Sequence, residues 1–380
     1  MSYRIVNARI VNEGTVREGD LSVARGRIVG LNVVGPPEAE VIDAKGGYVL
    51  PGMIDDQVHF REPGFEHKAT IESESRAAVA GGITSYLEMP NTNPQTVTAE
   101  ALADKHARAA ARSMANYGFY LGATNDNLEA IKAVDRRQAC GIKIFMGSST
   151  GNMLVDDEQT LDGIFAASPL VIATHCEHTP TIVANEAAAS AQHGDHIPFT
   201  EHPRIRSADA CYRSSSLAVE LARRHDAKLH VLHITTAQEL ALFEAGDLAD
   251  KRITAEACVH HLFFNDTAYP AKGADIKCNP AIKSTADQHA IWAAVNDGRI
   301  DVIATDHAPH TVEEKGRPYA QAPAGLPLVQ HALLTLFEHV AAGRFTVETV
   351  VEKTAHAPAR LFGIAERGFI REGYWADLVL

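Results

Sequence analysis

The sequence lacks any hydrophobic run approaching the ~20 residues that a membrane-spanning helix needs. It also lacks a run of Lys and Arg that would follow a phosphate backbone, and its formal net charge is −13. These two absences argue against a membrane or a nucleic acid as partner. The N-terminus has strand-like alternation without the apolar core and small-residue cleavage site of a signal peptide, so we expect a cytoplasmic protein.

Cysteine is scarce and never occurs as a CxxC pair. The five cysteines stand singly in apolar surroundings, at Cys140, Cys176, Cys211, Cys258 and Cys278. This scatter favours buried, reduced thiols over disulfides or a thiolate metal site.

The middle of the chain alternates apolar, strand-like runs with amphipathic or Ala-rich stretches. A chain of 380 residues with 46% hydrophobic residues can hold one α/β barrel and a small appendage. Eight strand-like runs with helical segments between them predict an α/β fold, a (β/α)8 TIM barrel. These runs cover residues 53–59, 83–89, 117–123, 141–147, 169–175, 228–234, 252–258 and 301–307.

Both ends of the chain show short strands and turns. Their shared texture predicts a small β subdomain built from residues 1–50 and 357–380, around a metal-dependent barrel at 51–356. The chain stops at Leu380, apparently inside a strand, which would leave an unpaired edge. We therefore expect the small subdomain to be truncated at its C-terminus.

Metal-ligating residue types recur where the predicted barrel strands end. The reacting groups of such barrels lie at the C-terminal ends of the strands. Three histidines and one carboxylate at four separate strand ends predict a metal site at the barrel mouth, formed by His59, His175, His233 and Asp306. A single strand-end histidine is more often structural, so the prediction rests on the set.

Lys143 lies within the fourth predicted strand, flanked by Ile142, Ile144 and Phe145. Burial would lower its pKa and free the amine. A free amine can take up CO2 to form a carbamate, an anionic ligand able to bridge two divalent ions. The alternative, an ammonium that reaches solvent past the barrel rim, stays open at this point.

The chain resembles the dihydroorotases of the long bacterial type, within the amidohydrolase superfamily, over its whole length. The motifs that carry this resemblance occur in the family's order: HFREPG at 59–64, EMPNTNP at 88–94, GIKIFMGSSTGNM at 141–153, THCE at 174–177, LHVLHITTA at 229–237, KCNP at 277–280 and DVIATDHAPH at 301–310. One position departs from the pattern, because the usual His-x-His of the first strand is Gln57-Val58-His59 here.

The resemblance implies a barrel that binds one or two Zn²⁺ ions. Five of the six usual ligands remain: His59, a carboxylated bridging Lys143, His175, His233 and Asp306. A neutral amide oxygen is a weak zinc ligand, so Gln57 predicts weaker binding of the ion held by His59 and Asp306. Asp56, on the other face of the strand, is not expected to compensate.

The resemblance also implies the substrate and the reaction. L-Dihydroorotate and N-carbamoyl-L-aspartate would be interconverted, as in pyrimidine biosynthesis, by attack of metal-bound hydroxide with Asp306 as general acid/base. Substrate binding falls to Arg61, Asn91, Asn279 and His310. An arginine at position 61 suits a carboxylate.

Two alternatives remain. A dihydropyrimidinase, hydantoinase or allantoinase shares the barrel, but its substrates carry no such carboxylate. The loss of a ligand at Gln57 also allows an inactive dihydroorotase-like scaffold for aspartate transcarbamoylase, although nothing else in the sequence indicates that association. The resemblance further suggests a homodimer. We expect His260 and His261 to support the site or the fold, without a role in catalysis.

Overall fold

The fold is that of a computed structural model, which describes residues 1–33, 35–147 and 153–380. Eight parallel strands within these ranges form one sheet in chain order, each hydrogen-bonded to the next. A bridge between Val58 and His307 brings the first and last strands together, so the sheet curls into a nearly closed barrel. The barrel strands are β6 (Met53–Val58), β7 (Ile83–Glu88), β8 (Asn116–Gly122), β9 (Gly141–Phe145), β10 (Ile172–His175), β11 (Leu229–Val231), β12 (Ile253–Cys258) and β13 (Val302–Ala304).

Helices connect the barrel strands and cover their outer faces, as parallel strands require. Several begin after a Ser or Thr whose side chain accepts a backbone N–H, such as Thr98 before the helix Ala99–Arg112 and Ser207 before the helix Ala208–His225. The helices are α1 (Ile71–Ala80), α2 (Ala99–Arg112), α3 (Leu128–Ala133), α4 (Glu158–Ala167), α5 (Thr179–His193), α6 (His202–Ile205), α7 (Ala208–His225), α8 (Val259–Phe263), α9 (Tyr269–Lys272), α10 (Thr285–Asp297), α11 (Val312–Lys315), α12 (Ala332–Ala341), α13 (Val347–Val351) and α14 (Ala357–Leu361).

A separate sheet contains both ends of the chain. Its short last strand pairs antiparallel with the strand Tyr48–Pro51, so that Leu378 lies opposite Pro51 and Val379 opposite Leu50. This sheet has its own small core, which includes Leu21 and Val49. Its strands are β1 (Ser2–Asn12), β2 (Thr15–Ala24), β3 (Arg27–Leu31), β4 (Glu40–Asp43), β5 (Tyr48–Pro51) and β14 (Leu378–Val379). The predicted fold class is thereby confirmed, whereas the domain boundaries after 50 and before 357 stay a prediction.

All eight predicted barrel strands are present, but two of them end three residues before their apolar runs do. β11 ends at Val231 and β13 at Ala304, because the chain leaves the extended conformation soon afterwards. His233 has φ +43° and Asp306 has φ +48°, both in the left-handed region. Side chains in these positions lie at the barrel mouth rather than in the strand ladder.

The loops that follow β9 and β10 touch directly. A Cβ atom at Gly147 would lie 1.7 Å from the carbonyl oxygen of Glu177, so only glycine fits there. This close approach brings the ends of the two strands together at the mouth. Among the described residues, no helix is long and apolar enough to cross a membrane.

Candidate active site

The residues predicted to form the site come together at the C-terminal ends of the barrel strands. One cavity is lined by nine of them: Gln57, His59, Arg61, Asn91, Lys143, His175, His233, Asn279 and Asp306. His310 lines an adjoining cavity of about 580 Å³ that shares Arg61 and Asn91 with the first. A volume of this size suits a small-molecule ligand.

Three side chains of this site stand on strained backbone. Arg61, His233 and Asp306 have φ of +69°, +43° and +48°. Residues other than glycine rarely adopt this region, and such strain clusters at functional sites. At His233 the carboxylate of Glu256 supports the conformation by accepting the backbone N–H at 3.0 Å.

His59 and Asp306 face each other on one side of the cavity. The Nε2 atom of His59 lies 3.1 Å from Oδ1 of Asp306, and Gln57 Nε2 donates to the same oxygen at 3.1 Å. The Nδ1 atom of His59 donates to Oδ1 of Asn91 at 2.7 Å. Asn91, predicted to bind substrate, therefore also sets the orientation of the His59 ring. Burial lowers the pKa of His59, although Asp306 opposes the shift.

His175 and His233 face each other on the other side. The Nδ1 atom of His175 lies 3.1 Å from Nε2 of His233, and Nε2 of His175 donates to Glu177 at 3.1 Å. Burial lowers the pKa of both histidines, which keeps their rings neutral. Glu177 is ion-paired with Arg206; although burial alone would raise its pKa, Arg206 and His175 hold it at about 2.

Lys143 is buried, with an exposed fraction of 1%. The ammonium lies 4.6 Å from the ring centre of Phe145. Burial lowers the pKa of Lys143 to about 8, so about a tenth of the amine is unprotonated at pH 7, far more than for an exposed lysine. The alternative of a lysine reaching past the rim to solvent is therefore wrong.

The donor set fits a divalent metal ion. With their other ring nitrogens donating to Asn91 and Glu177, His59 Nε2 and His175 Nδ1 carry lone pairs that point at Asp306 and His233. The lone pair of His59 and the carboxylate of Asp306 repel each other unless a cation lies between them, whereas His175 Nδ1 can either accept from Nε2–H of His233 or bind a cation. Histidines that donate their second N–H to an oxygen are typical of metal sites.

Arg61 forms the cationic side of the cavity. Its Nε donates to the carbonyl of Pro309 at 3.0 Å, and its Nη2 lies 3.1 Å from Nε2 of His310. Burial lowers the pKa of Arg61 to about 10, which still leaves the guanidinium charged at neutral pH. Lys68 lies nearby, but its Nζ is paired with Glu314 at 3.1 Å. Arg61 is thus the cation best placed to receive an anionic group.

A cluster of three ionisable side chains is buried deeper in the barrel. Nε2 of His230 lies 3.2 Å from Asp56 and 3.7 Å from Glu256, and all three side chains are fully buried. Although burial opposes the shift, the two carboxylates raise the pKa of His230 to about 9. Asp56 therefore pairs with His230 and does not replace the missing ligand at Gln57, as its position on the strand predicted.

Sequence reasoning missed Glu177 as a partner of His175. The signal was its position two residues beyond a strand-end histidine, in THCE.

Residues 148–152 of the GIKIFMGSSTGNM motif lie outside the described residues. A larger cavity of about 1000 Å³ lies where Asp301 leads into β13, at the opposite end of the barrel, and no predicted site residue lines it.

The mouth of this parallel barrel gathers neutral histidines, a desolvated lysine and a carboxylate, which are residue types that hold metal ions in barrel hydrolases. The amidohydrolase family matches residues 48–380, and the chain belongs to this family. Amidohydrolases are generally metal-dependent.

Similar proteins of known name indicate which hydrolases within the family this chain resembles. A dihydroorotase of Halobacterium salinarum is 36% identical over 99% of this chain and 86% of its own length. A dihydroorotase of Carboxydothermus hydrogenoformans is 32% identical over 98% of this chain and 86% of its own. Among solved structures, an L-hydantoinase (dihydropyrimidinase) from Arthrobacter aurescens matches with a TM-score of 0.93 and 26% identity, covering 99% of this chain and 86% of that one. The protein is a hydrolase of cyclic amides.

Proposed function

We propose that this protein is a dihydroorotase, which interconverts L-dihydroorotate and N-carbamoyl-L-aspartate in pyrimidine biosynthesis. The observation that carries the proposal is the buried cation of Arg61 beside the cluster of metal-ligand types. A planar guanidinium binds a carboxylate through two parallel N–H bonds. Dihydroorotate carries such a carboxylate on its ring, whereas dihydrouracil and hydantoin do not.

The proposed metal ligands are His59, Lys143, His175, His233 and Asp306. Lys143 would ligate as a carbamate, since its lowered pKa leaves free amine to react with CO2. A zinc ion bound there would supply an acidified water and would polarise the ring carbonyl.

Asp306 would carry the proton of the reaction. Its Oδ1 already accepts from Gln57 and faces His59, which holds the carboxylate at the mouth. In hydrolysis it takes the proton from the attacking water and delivers it to the departing ring nitrogen. In ring closure it removes the proton from the ureido nitrogen.

The amide side chains would orient the ring. Asn279 Oδ1 is buried and has no hydrogen-bond partner within the described parts of the chain. A buried acceptor left unpaired is costly, so it suits a ligand N–H such as those of a cyclic ureide. Asn91 and His310 would complete the pocket next to Arg61, and holding the ring in place contributes directly to the rate.

The structural likeness to hydantoinases makes a cyclic ureide without a carboxylate the second candidate. Zinc-replete protein should be offered dihydroorotate, dihydrouracil, hydantoin and allantoin, and also N-carbamoyl-aspartate in the reverse direction. We expect the highest kcat/KM with dihydroorotate and N-carbamoyl-aspartate. Preferred turnover of dihydrouracil, hydantoin or allantoin would favour the second candidate. Absence of all turnover in metal-loaded protein would favour an inactive scaffold.

A further inference from the structure

A second cluster of metal-ligand types lies next to Gln57. Cys258 ends β12, and His260 and His261 lie on the short helix α8 that follows. One ligand atom from each of the three residues lies within 4.8 Å of the other two. All three are buried, with exposed fractions of 0%, 1% and 3%. Neither the predicted metal centre nor the proposed substrate pocket uses these side chains.

The two imidazoles have unused nitrogens. Nε2 of His261 donates to the carbonyl of Pro280 at 3.0 Å, so its Nδ1 keeps a lone pair, and that atom has no partner. Neither ring nitrogen of His260 makes a hydrogen bond of good geometry within the described residues, and its one polar neighbour, the backbone of Thr305, leaves at least one ring nitrogen unused. Buried polar atoms are nearly always paired, because leaving one unpaired costs about 1–3 kcal/mol. Two neighbouring histidines with unused nitrogens therefore indicate a ligand.

The thiol of Cys258 has only weak partners. Its Sγ lies 3.4 Å from Oε1 of Glu256 and 3.7 Å from Oε1 of Gln57. Gln57 also donates through Nε2 to Asp306, so its side chain lies between the predicted metal centre and this cluster. The amide oxygen that replaces the usual histidine nitrogen thus faces a cysteine.

We propose that Cys258, His260 and His261 form a separate binding site for a zinc-class divalent ion, beside the predicted metal centre. One thiolate and two imidazoles are a donor set that zinc favours. Zn–S and Zn–N bonds of about 2.3 and 2.1 Å place tetrahedral ligand atoms about 3.5 Å apart. The observed spread of up to 4.8 Å therefore needs a closure of about 1 Å. On binding, the Cys258 thiol loses its proton to solvent and ligates as thiolate.

The sequence alone predicted no thiolate site, because the cysteines stand singly along the chain. The barrel instead brings Cys258 next to Gln57, 201 residues away. The proposal of this site does not depend on which cyclic amide the enzyme hydrolyses.

Cobalt provides a test that does not rely on activity. The resident metal is removed with a chelator, the full chain is loaded with Co²⁺ under reducing conditions, and the absorption spectrum is recorded. Thiolate ligation gives a near-ultraviolet charge-transfer band, which histidine, carbamate and carboxylate ligands do not give. We expect this band in the wild type and its loss in Cys258→Ser and Cys258→Ala. His260→Gln and His261→Gln should each raise the Co²⁺ concentration at which this band reaches half its full intensity by about tenfold or more.

Cys278→Ser is the matched control, because Sγ of Cys278 lies 3.7 Å from Nε2 of His261 without belonging to the cluster. It should keep the band. A wild type without the band at saturating Co²⁺, or a band that survives both Cys258 variants, would refute the site. A band lost in the Cys258 variants but unaffected by both histidine variants would also refute it, because the thiolate would then serve the neighbouring centre. The spectrum is compared only among variants with wild-type circular dichroism.

Discussion

Replacing Arg61 by methionine removes the buried cation assigned to the substrate carboxylate. Hydrogen bonds to charged groups contribute about 1.5–3 kcal/mol each, so a two-bond contact contributes about 3–6 kcal/mol. At about 1.4 kcal/mol per factor of ten, kcat/KM for dihydroorotate should fall by about 10²- to 10⁴-fold. Arg61 is already held by Pro309 and His310, so little of this energy is offset by ordering the side chain.

The assay compares two substrates and two variants. Dihydrouracil has the same ring without the carboxylate, so Arg61→Met should change its turnover by less than about threefold, since that substrate makes no such contact. Lys68→Met is the matched control, because its cation is paired with Glu314, and it should lower dihydroorotate turnover by less than about tenfold. Equal losses on both substrates in Arg61→Met would refute a role in carboxylate binding.

Three further predictions concern metal and stability. Gln57→His restores an imidazole at the first strand and should raise the metal retained after chelator dialysis by up to about one ion per chain over the wild type, measured by elemental analysis. An unchanged metal content would contradict this prediction. Lys143→Ala should lower activity by more than about 10²-fold. Acetate should restore part of it, since a small carboxylate offers the same two oxygens as a carbamate. Activity close to wild type would show that the lysine is no ligand. Burial lowers the pKa of His202 to about 3, so the unfolded chain takes up a proton below pH 6.5 and the folded chain does not. The contribution of His202 to stability is therefore full above pH 6.5 and is lost at roughly 1.4 kcal/mol per pH unit between pH 6.5 and about 3. Urea unfolding of His202→Gln should lack this part of the slope.

The fold was largely predictable because its signals are local. Each buried parallel strand forms a short apolar run, and eight such runs separated by helical segments have few alternatives to a barrel. The residues at strand ends then follow, because parallel strands place those ends on one face. Strand lengths were less predictable: the apolar runs continue past Val231 and Ala304, whereas the backbone turns at His233 and Asp306.

The sequence by itself determined the ligand types, their order along the barrel and the departure at Gln57. Only the tertiary structure decided which groups meet: His175 with Glu177, Asp56 with His230, and Cys258 with Gln57. The last two pairs are separated by 174 and 201 residues along the chain, so no local pattern encodes them. They come together because the barrel closes, and closure depends on the packing of the whole chain.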